Sequence, residues 1–174
     1  MAGKIAINRV TNANVYIAGV SFLGRAEEVT LPQIKHIFSE HKGLGMVAAA
    51  EFWSGIDKME AKFKWASLYP EVMAAVADPT AVVPIQVRAN METYNGTGLL
   101  AQVPVVVFLS CAFKDLPLGT FKKHENAEFE TNASVYYARM NIAGIDIFEV
   151  DVMENIYKVA GTDILAQYKF NTGA

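Results

Sequence analysis

The sequence predicts a mostly β protein: a small antiparallel β-barrel or sandwich with one packed α-helix and one long loop. Three observations predict this class: strict alternation of apolar and polar residues, glycine-containing turns between β-prone runs, and a single segment with helix signals. The 174 residues have the length of one ordinary domain, and no repeat, low-complexity run or linker divides them. We therefore expect residues 1–174 to form a single domain.

Alternation with a period of two is clearest in residues 58–65 and 128–135. A helix would scatter both residue sets around its circumference, whereas a strand places each set on its own face. Both segments are therefore predicted to be half-buried strands. In the first, Met59, Ala61, Phe63 and Trp65 alternate with Lys58, Glu60, Lys62 and Lys64; in the second, Phe129, Thr131, Ala133 and Val135 alternate with Glu128, Glu130, Asn132 and Ser134.

Turn signals connect further strands. Ala18-Gly19 and Ala143-Gly144 each stand between two β-prone runs and predict hairpins, because glycine supplies the positive φ of a tight turn. The segment 93–98, TYNGTG, predicts a third turn before a valine-rich run that ends at Phe113. That run is apolar on both faces, so it is either a central strand of a two-layer core or a strand that meets another subunit.

One helix is well signalled, in the sequence SLYPEVMAAVADP. Pro70 stands near the first helical position, Glu71 lies in the first turn, and Asp78-Pro79 ends the run of helix formers. A short helical turn is expected near the C-terminus, in residues 161–170.

Composition limits the functional classes. The formal net charge of −3 does not indicate a basic face for nucleic acid. A hydrophobic content of 52% with only 19% charged residues predicts surplus apolar surface, most simply a subunit interface. The single cysteine, Cys111, excludes an intrachain disulfide and is expected to be buried. No signal-peptide pattern or membrane-spanning helix is expected, so synthesis in a reducing cytoplasm is predicted.

Residues 36–48 contain apparent ligand motifs. Residues 43–48 spell G-x-G-x-x-A, but a dinucleotide site needs a strand before this motif and a helix after it, and polar residues precede it here. His36 and His41 are five residues apart, a spacing that would place them on different faces of either a helix or a strand. No group of Cys and His residues has the spacing of a zinc site. We expect no metal, no cofactor and no catalytic residue, and the clustered carboxylates fit solvated strand faces.

The loop predicted at residues 39–55 is longer than a compact domain leaves unstructured without a use. It is polar first and apolar afterwards, so its second half is expected to dock on another surface. Phe52 and Trp53 fit core or interface anchors better than a platform for sugars or bases.

Several segments, in order, resemble the major tail tube proteins of contractile-tailed bacteriophages and of R-type bacteriocins. The likeness runs from Asn14 to Ala166. Its motifs are VYIAGVSFLGRAEEVTLP, KGLGM, MEAKFKW with the helix after it, ARMNIAGIDIFEVD, and VAGTDILA with Gly161, Asp163 and Leu165. The chain departs from the family pattern at Ala18 and Ala143, where Asn or Asp is usual, and at Val152, where proline is common.

The resemblance implies a structural subunit of the virion that forms hexameric rings, stacked into a hollow tube through which DNA passes. It implies contacts with sheath, tape-measure, baseplate and tail-terminator proteins, and no membrane. The 39–55 loop is then an arm between subunits and rings, with interface residues Gly43, Leu44, Gly45, Met46, Val47, Phe52 and Trp53. The alternatives are the tube of a bacteriocin or a related injection machine, and a small-ligand-binding β-barrel.

A conduit for DNA is expected to be neutral or negative, because lysines would hold phosphates and slow the duplex. Glu128 and Glu130 are therefore candidates for the lumen. The row of Lys58, Glu60, Lys62 and Lys64 is net positive, and it is expected at the outer wall or at a contact between subunits.

Overall fold

Antiparallel strands make up most of the chain in the computed structural model, which describes residues 5–173. Two short helices accompany them. In chain order the elements are β1 (Ile7–Ile17), β2 (Val20–Ser21), β3 (Ala26–Thr30), β4 (His36–His41), β5 (Ala50–Ile56), β6 (Met59–Trp65), α1 (Pro70–Ala77), β7 (Val83–Asn95), β8 (Gly98–Phe113), β9 (Phe129–Ile142), β10 (Ile145–Asp151), β11 (Ile156–Val159), β12 (Thr162–Asp163) and α2 (Ala166–Thr172).

Ten of these strands form one open sheet. Its main order is β12-β11-β10-β9-β8-β7-β1-β2, and β6 pairs with β9 while β3 pairs with β6. Within residues 5–173, β2, β3 and β12 each pair on one side alone. The sheet therefore does not close on itself, and of the two predicted architectures the fold is the sandwich-like one.

Strand β9 is the branch point of the sheet. Its first half pairs with β6, from Phe129 opposite Trp65 to Val135 opposite Met59, and its second half pairs with β10. Strand β8 runs beside both halves, and its register shifts between Ser110 and Cys111. A β-bulge bends and twists a strand. The shift thus lies where the sheet divides into two branches.

The core is formed by the apolar faces of both branches together with helix α1. Met59, Ala61, Phe63 and Trp65 are all buried, as the alternation in residues 58–65 predicts. The Phe63 and Trp65 rings stack with centroids 6.0 Å apart. The indole Nε1 of Trp65 donates to the buried hydroxyl of Thr131 at 3.1 Å, so the polar atom of this large side chain keeps a partner.

Helix α1 begins and ends as predicted. Pro70 occupies its first turn, where no backbone donor is needed, and Asp78 is its C-cap. Val72 and Val76 are buried against the core. Helix α2 realises the turn expected near the C-terminus, and it has no buried residue.

The two Ala-Gly hairpins are confirmed. Ala18 and Gly19 have φ values of +47° and +83°, and Ala143 and Gly144 have +53° and +86°. Two successive positive φ values are the geometry of a two-residue type I′ turn, which suits the twist of antiparallel strands. Alanine takes this conformation less readily than Asn or Asp, so both turns hold a mildly strained residue.

The prediction of a seventeen-residue loop at 39–55 is wrong in its conformation. Strands β4 and β5 form a separate two-stranded hairpin, with Ser39 opposite Phe52 and His41 opposite Ala50. Residues 42–49 alone form the connection. Every residue of β4 is exposed, so its sequence HIFSEH lacks the apolar face that identifies a strand packed on a core.

Phe63→Ala is expected to lower the free energy of unfolding by roughly 3–5 kcal/mol, because it leaves a cavity among the rings of Trp65 and Phe113. Urea denaturation of the unassembled subunit measures this. The control is Phe121→Ala: this ring is 76% exposed, so its loss is expected to stay within about 0.5 kcal/mol. A cost below about 1 kcal/mol for Phe63→Ala would place the apolar face of β6 outside the core.

Candidate assembly surfaces

The β4–β5 hairpin is anchored at its base by aromatic contacts. The Nε1 of Trp53 donates to Nδ1 of His36 across the hairpin at 3.2 Å. Both rings then contact Tyr157 of β11, with His36 stacked at 6.1 Å and Trp53 tilted at 6.2 Å between ring centroids. These contacts fix the direction in which the hairpin leaves the body.

The tip of the hairpin, residues 42–49, presents apolar side chains to solvent. The backbone N–H of Met46 donates to the Gly43 carbonyl at 3.2 Å, and Gly45 has a φ of +86°, so the tip is a tight turn. Leu44 and Val47 are fully exposed. Large exposed apolar side chains grouped on a projection mark a surface for another molecule.

The structure thus brings the predicted interface residues onto one hairpin. Gly43, Leu44, Gly45, Met46 and Val47 lie in the tip, while Phe52 and Trp53 lie on β5. Phe52 is 60% exposed and contacts the ring of His41. Trp53 stands at the base rather than near the tip, so the seven residues mark the two ends of the hairpin rather than one patch.

The apparent ligand motifs have structural positions in this hairpin. The G-x-G-x-x-A sequence lies in a turn between antiparallel strands, and no helix follows it. His36 and His41 stand at opposite ends of β4, about 17 Å apart at the usual rise per residue. Within residues 5–173, no group of three or more His, Cys, Asp or Glu side chains is placed to hold a metal ion.

Cys111 is fully buried, as predicted, and burial raises the pKa of its thiol to about 12. A thiol held in the neutral form is a poor nucleophile, so this residue acts as a small core side chain. In the part of the chain that the structure describes, no helix is long and apolar enough to cross a membrane.

The two polar rows found in the sequence lie side by side on one sheet face. Strands β6 and β9 pair so that Lys64 stands opposite Glu130 and Lys62 opposite Asn132. Lys62 forms an ion pair with Glu130 at 3.3 Å. The expectation that the lysine row and the glutamate row face different walls is therefore wrong, because register, not local composition, decides which rows are neighbours.

Lys64 and Glu60 each contact two side chains of opposite charge on this face. The ammonium group of Lys64 contacts Glu27 at 2.8 Å and Glu128 at 2.9 Å, and these carboxylates raise its pKa. Hydrogen bonds from Lys114 and then from Lys58 lower the pKa of Glu60 to about 2. Opposite charges are thus matched, and we term this surface the charge-paired face. Its lysines are Lys58, Lys62, Lys64 and Lys114, and its glutamates are Glu27, Glu60, Glu128 and Glu130.

The pKa shifts define the pH range in which this face stays paired. The pKa of Glu60 is lowered, so its contribution is complete above the ordinary value of about 4.3 and is lost as pH falls toward 2. The pKa of Lys64 is raised, so its contribution is complete below about 10.4 and is lost as pH rises further. Both groups are solvated, so the effect on stability is small.

A surface groove lies where the hairpin meets the body, and we term it the aromatic groove. Its volume is about 420 Å³, and its walls come from β5, from the β10–β11 region and from helix α2. Tyr157 and Tyr168 are among its aromatic side chains, together with Trp53, and Asp151 is one of its polar residues. Sequence reasoning missed this groove because its walls come from segments about a hundred residues apart.

The fold and these surfaces define a class: a β-structural subunit with an exposed apolar projection, as proteins that assemble typically have. Residues 7–173 match the family of phage tail tube protein FII. The chain belongs to this family. It is therefore a structural component of a phage tail tube, and so of the virion.

Two known proteins are similar to this chain over most of its length. The tail tube protein of Escherichia phage P2 is 29% identical over 166 residues, which cover 92% of this chain and 94% of that protein. A solved structure described as the sheath/tube terminator of an extracellular contractile injection system, PVC, in its extended state matches with a TM-score of 0.55. That match has 13% identity and covers 74% of this chain and 92% of the other, so it supports the fold alone.

Lys114→Met is expected to raise the pKa of Glu60 toward its ordinary value, because the hydrogen bond from Lys114 is the largest cause of its depression. Carbon-13 NMR titration of the Glu60 carboxyl group in the unassembled subunit measures the change. Lys122→Met is the control, since Lys122 pairs with Glu125 and not with Glu60. An unchanged Glu60 titration in Lys114→Met would show that the two side chains do not interact in solution.

Proposed function

We propose that this chain forms hexameric rings that stack into the inner tube of a contractile tail, and that the tube conducts the genome during ejection. Family membership supports the tube, and the observation that carries the stacking is the exposed apolar tip of the β4–β5 hairpin. Residues 1–174 act in this proposal as one tail-tube domain without catalytic activity, assembled in the host cytoplasm.

The hairpin is proposed as the arm between subunits. Leu44 and Val47 add no hydrophobic stabilisation to the free subunit, because both side chains are fully exposed to water. Burying each of them against another subunit is worth roughly 1.5–3 kcal/mol. The strand pairing of β4 and β5 keeps the arm extended before contact, so little chain entropy is lost on docking.

The charge-paired face, including Glu128 and Glu130, is proposed to line the conduit. Its lysines already contact carboxylates in the same subunit, so a passing phosphate has to compete with a bound partner for each ammonium group. A face of alternating paired charges is also well hydrated and carries little net potential. Both properties favour a duplex that slides without binding.

The proposed partners are the other components of a contractile tail that would contact its inner tube. They are further copies of this chain along the tube, the sheath around it, the tape-measure protein inside it, the baseplate at one end and the terminator at the other. DNA passes without sequence-specific contacts, and no membrane contact is proposed for this subunit.

Leu44→Ser combined with Val47→Ser is expected to abolish tube formation while leaving the subunit folded. Both side chains are fully exposed, so the free energy of unfolding should change by no more than about 0.5 kcal/mol. Negative-stain electron microscopy of concentrated protein measures assembly, and urea denaturation measures folding. Deleting residues 43–50 is expected to give the same separation of folding from assembly.

Leu118→Ser is the matched control, because Leu118 is also an exposed leucine but lies in the 114–128 connection, far along the chain from the hairpin. It is expected to assemble normally. Tubes formed by the double-serine variant as readily as by the native chain would show that the hairpin tip is not the arm.

Glu128→Gln combined with Glu130→Gln is expected to slow DNA ejection through assembled tails. The change frees Lys62 entirely and leaves Lys64 with Glu27 alone, so phosphates can bind them. The delay should shrink as salt rises, since the added attraction is electrostatic. Glu125→Gln, which removes a carboxylate from the 114–128 connection, is the control. An ejection rate unaffected at low salt would place the charge-paired face outside the conduit.

A further inference from the structure

The aromatic groove is a largely apolar site that no other segment of residues 5–173 fills. Its wall includes Trp53, Leu165 and Tyr168, and Tyr168 remains 58% exposed. Val152 and Met153, in and beside the groove, are 51% and 77% exposed. Apolar side chains left in water around a concave site favour burial by a complementary apolar segment.

The tip of the same hairpin cannot reach this groove. The β4–β5 ladder runs from His36 opposite Ile56 to His41 opposite Ala50, with one register shift between Ile37 and Phe38. Ala50 is three residues from Trp53 along β5, so the tip begins about 10 Å from Trp53, and its Leu44 and Val47 side chains are fully exposed. Folding the tip back would break the ladder, and an occupant of the same chemistry must therefore come from another molecule.

We propose that the aromatic groove of one subunit receives the hairpin tip, Leu44 to Val47, of a second copy of this chain. This rests on the proposed function of the hairpin as an arm, and it names the surface that the arm contacts. The tip supplies aliphatic side chains on a narrow turn, and Gly43 and Gly45 keep that turn slim enough to enter a groove.

The charges beside the hairpin tip and in the groove wall are complementary. Lys42 precedes the tip, and Asp151 lies in the groove wall. In the free subunit Lys42 contacts Glu40 at 3.0 Å, but both side chains are largely exposed, and such a pair is worth little. Docking lets Lys42 approach Asp151 in a drier setting, where the attraction is stronger.

The hairpin tip and the aromatic groove are different surfaces of one subunit, so a contact between them joins unlike surfaces of two copies. When the projection of one copy enters the groove of the next, the pair still has one free groove on the first copy and one free projection on the second. Such heterologous contacts propagate rather than close as a pair. A projection and a groove on the same subunit are therefore suited to contacts that continue from copy to copy, either around a ring or from one ring to the next.

Disulfide trapping in assembled tubes tests the proposal. The chain carrying Val47→Cys and Tyr168→Cys should give, under mild oxidation and non-reducing electrophoresis, a ladder of covalent dimers, trimers and longer products. Both positions are exposed in the free subunit, and the native Cys111 is fully buried. Val47→Cys combined with Val152→Cys, on another groove residue, repeats the test with a different geometry.

The matched control is Val47→Cys combined with Leu118→Cys, because Leu118 is 71% exposed and does not line the groove. It should remain monomeric in the same gels. Mixing single Val47→Cys chains with single Tyr168→Cys chains should stop at dimers, since each chain then carries one reactive end.

The outcomes separate the two proposals. Tubes whose groove pairs show no more cross-linking than the control pair would overturn the groove as the receptor and leave the arm intact. Equal ladders from all pairs would overturn it too, because contact would then be non-specific. Failure of the native chain to form tubes or enter tails would overturn the proposed function, and the groove assignment would fall with it.

Discussion

The double pairing of strand β9 is the constraint on which the rest of the structure depends. Its first half is hydrogen-bonded to β6 and its second half to β10, while β8 follows both. Because side chains alternate along a strand, this register puts Phe129, Thr131 and Val135 into the core and turns Glu130 and Asn132 outward. A slip of one residue would exchange the two sets, so the core and the charge-paired face are specified together.

The β4–β5 hairpin is separate from this sheet, and β4 packs on no hydrophobic core. All six residues of β4 are exposed, and the contacts of His36 and Trp53 with Tyr157 hold the ribbon at its root. A two-stranded ribbon is marginally stable in isolation. The proposed docking of the tip on another copy would add the contacts that this ribbon lacks in the free subunit.

The sequence predicted most of the sheet, and the reasons for its failures are physical. Alternation identified β6 and the first half of β9, and glycine turns located two hairpins, because both signals are local. The sequence predicts a loop where β4 and β5 form a hairpin, because a strand without a buried face shows no alternation of apolar and polar residues. The pairing of Lys62 with Glu130, and the groove beneath Trp53, depend on contacts between distant segments that local patterns do not report.

A cryo-EM reconstruction of the assembled tube would show whether assembly buries the apolar side chains that the single subunit leaves exposed. We expect residues 42–49 of every copy to be ordered and buried against a neighbouring copy. We also expect the charge-paired face to border the central channel with its Lys–Glu contacts intact. A tube in which the hairpin tips project into solvent, held together by other surfaces, would contradict the first expectation.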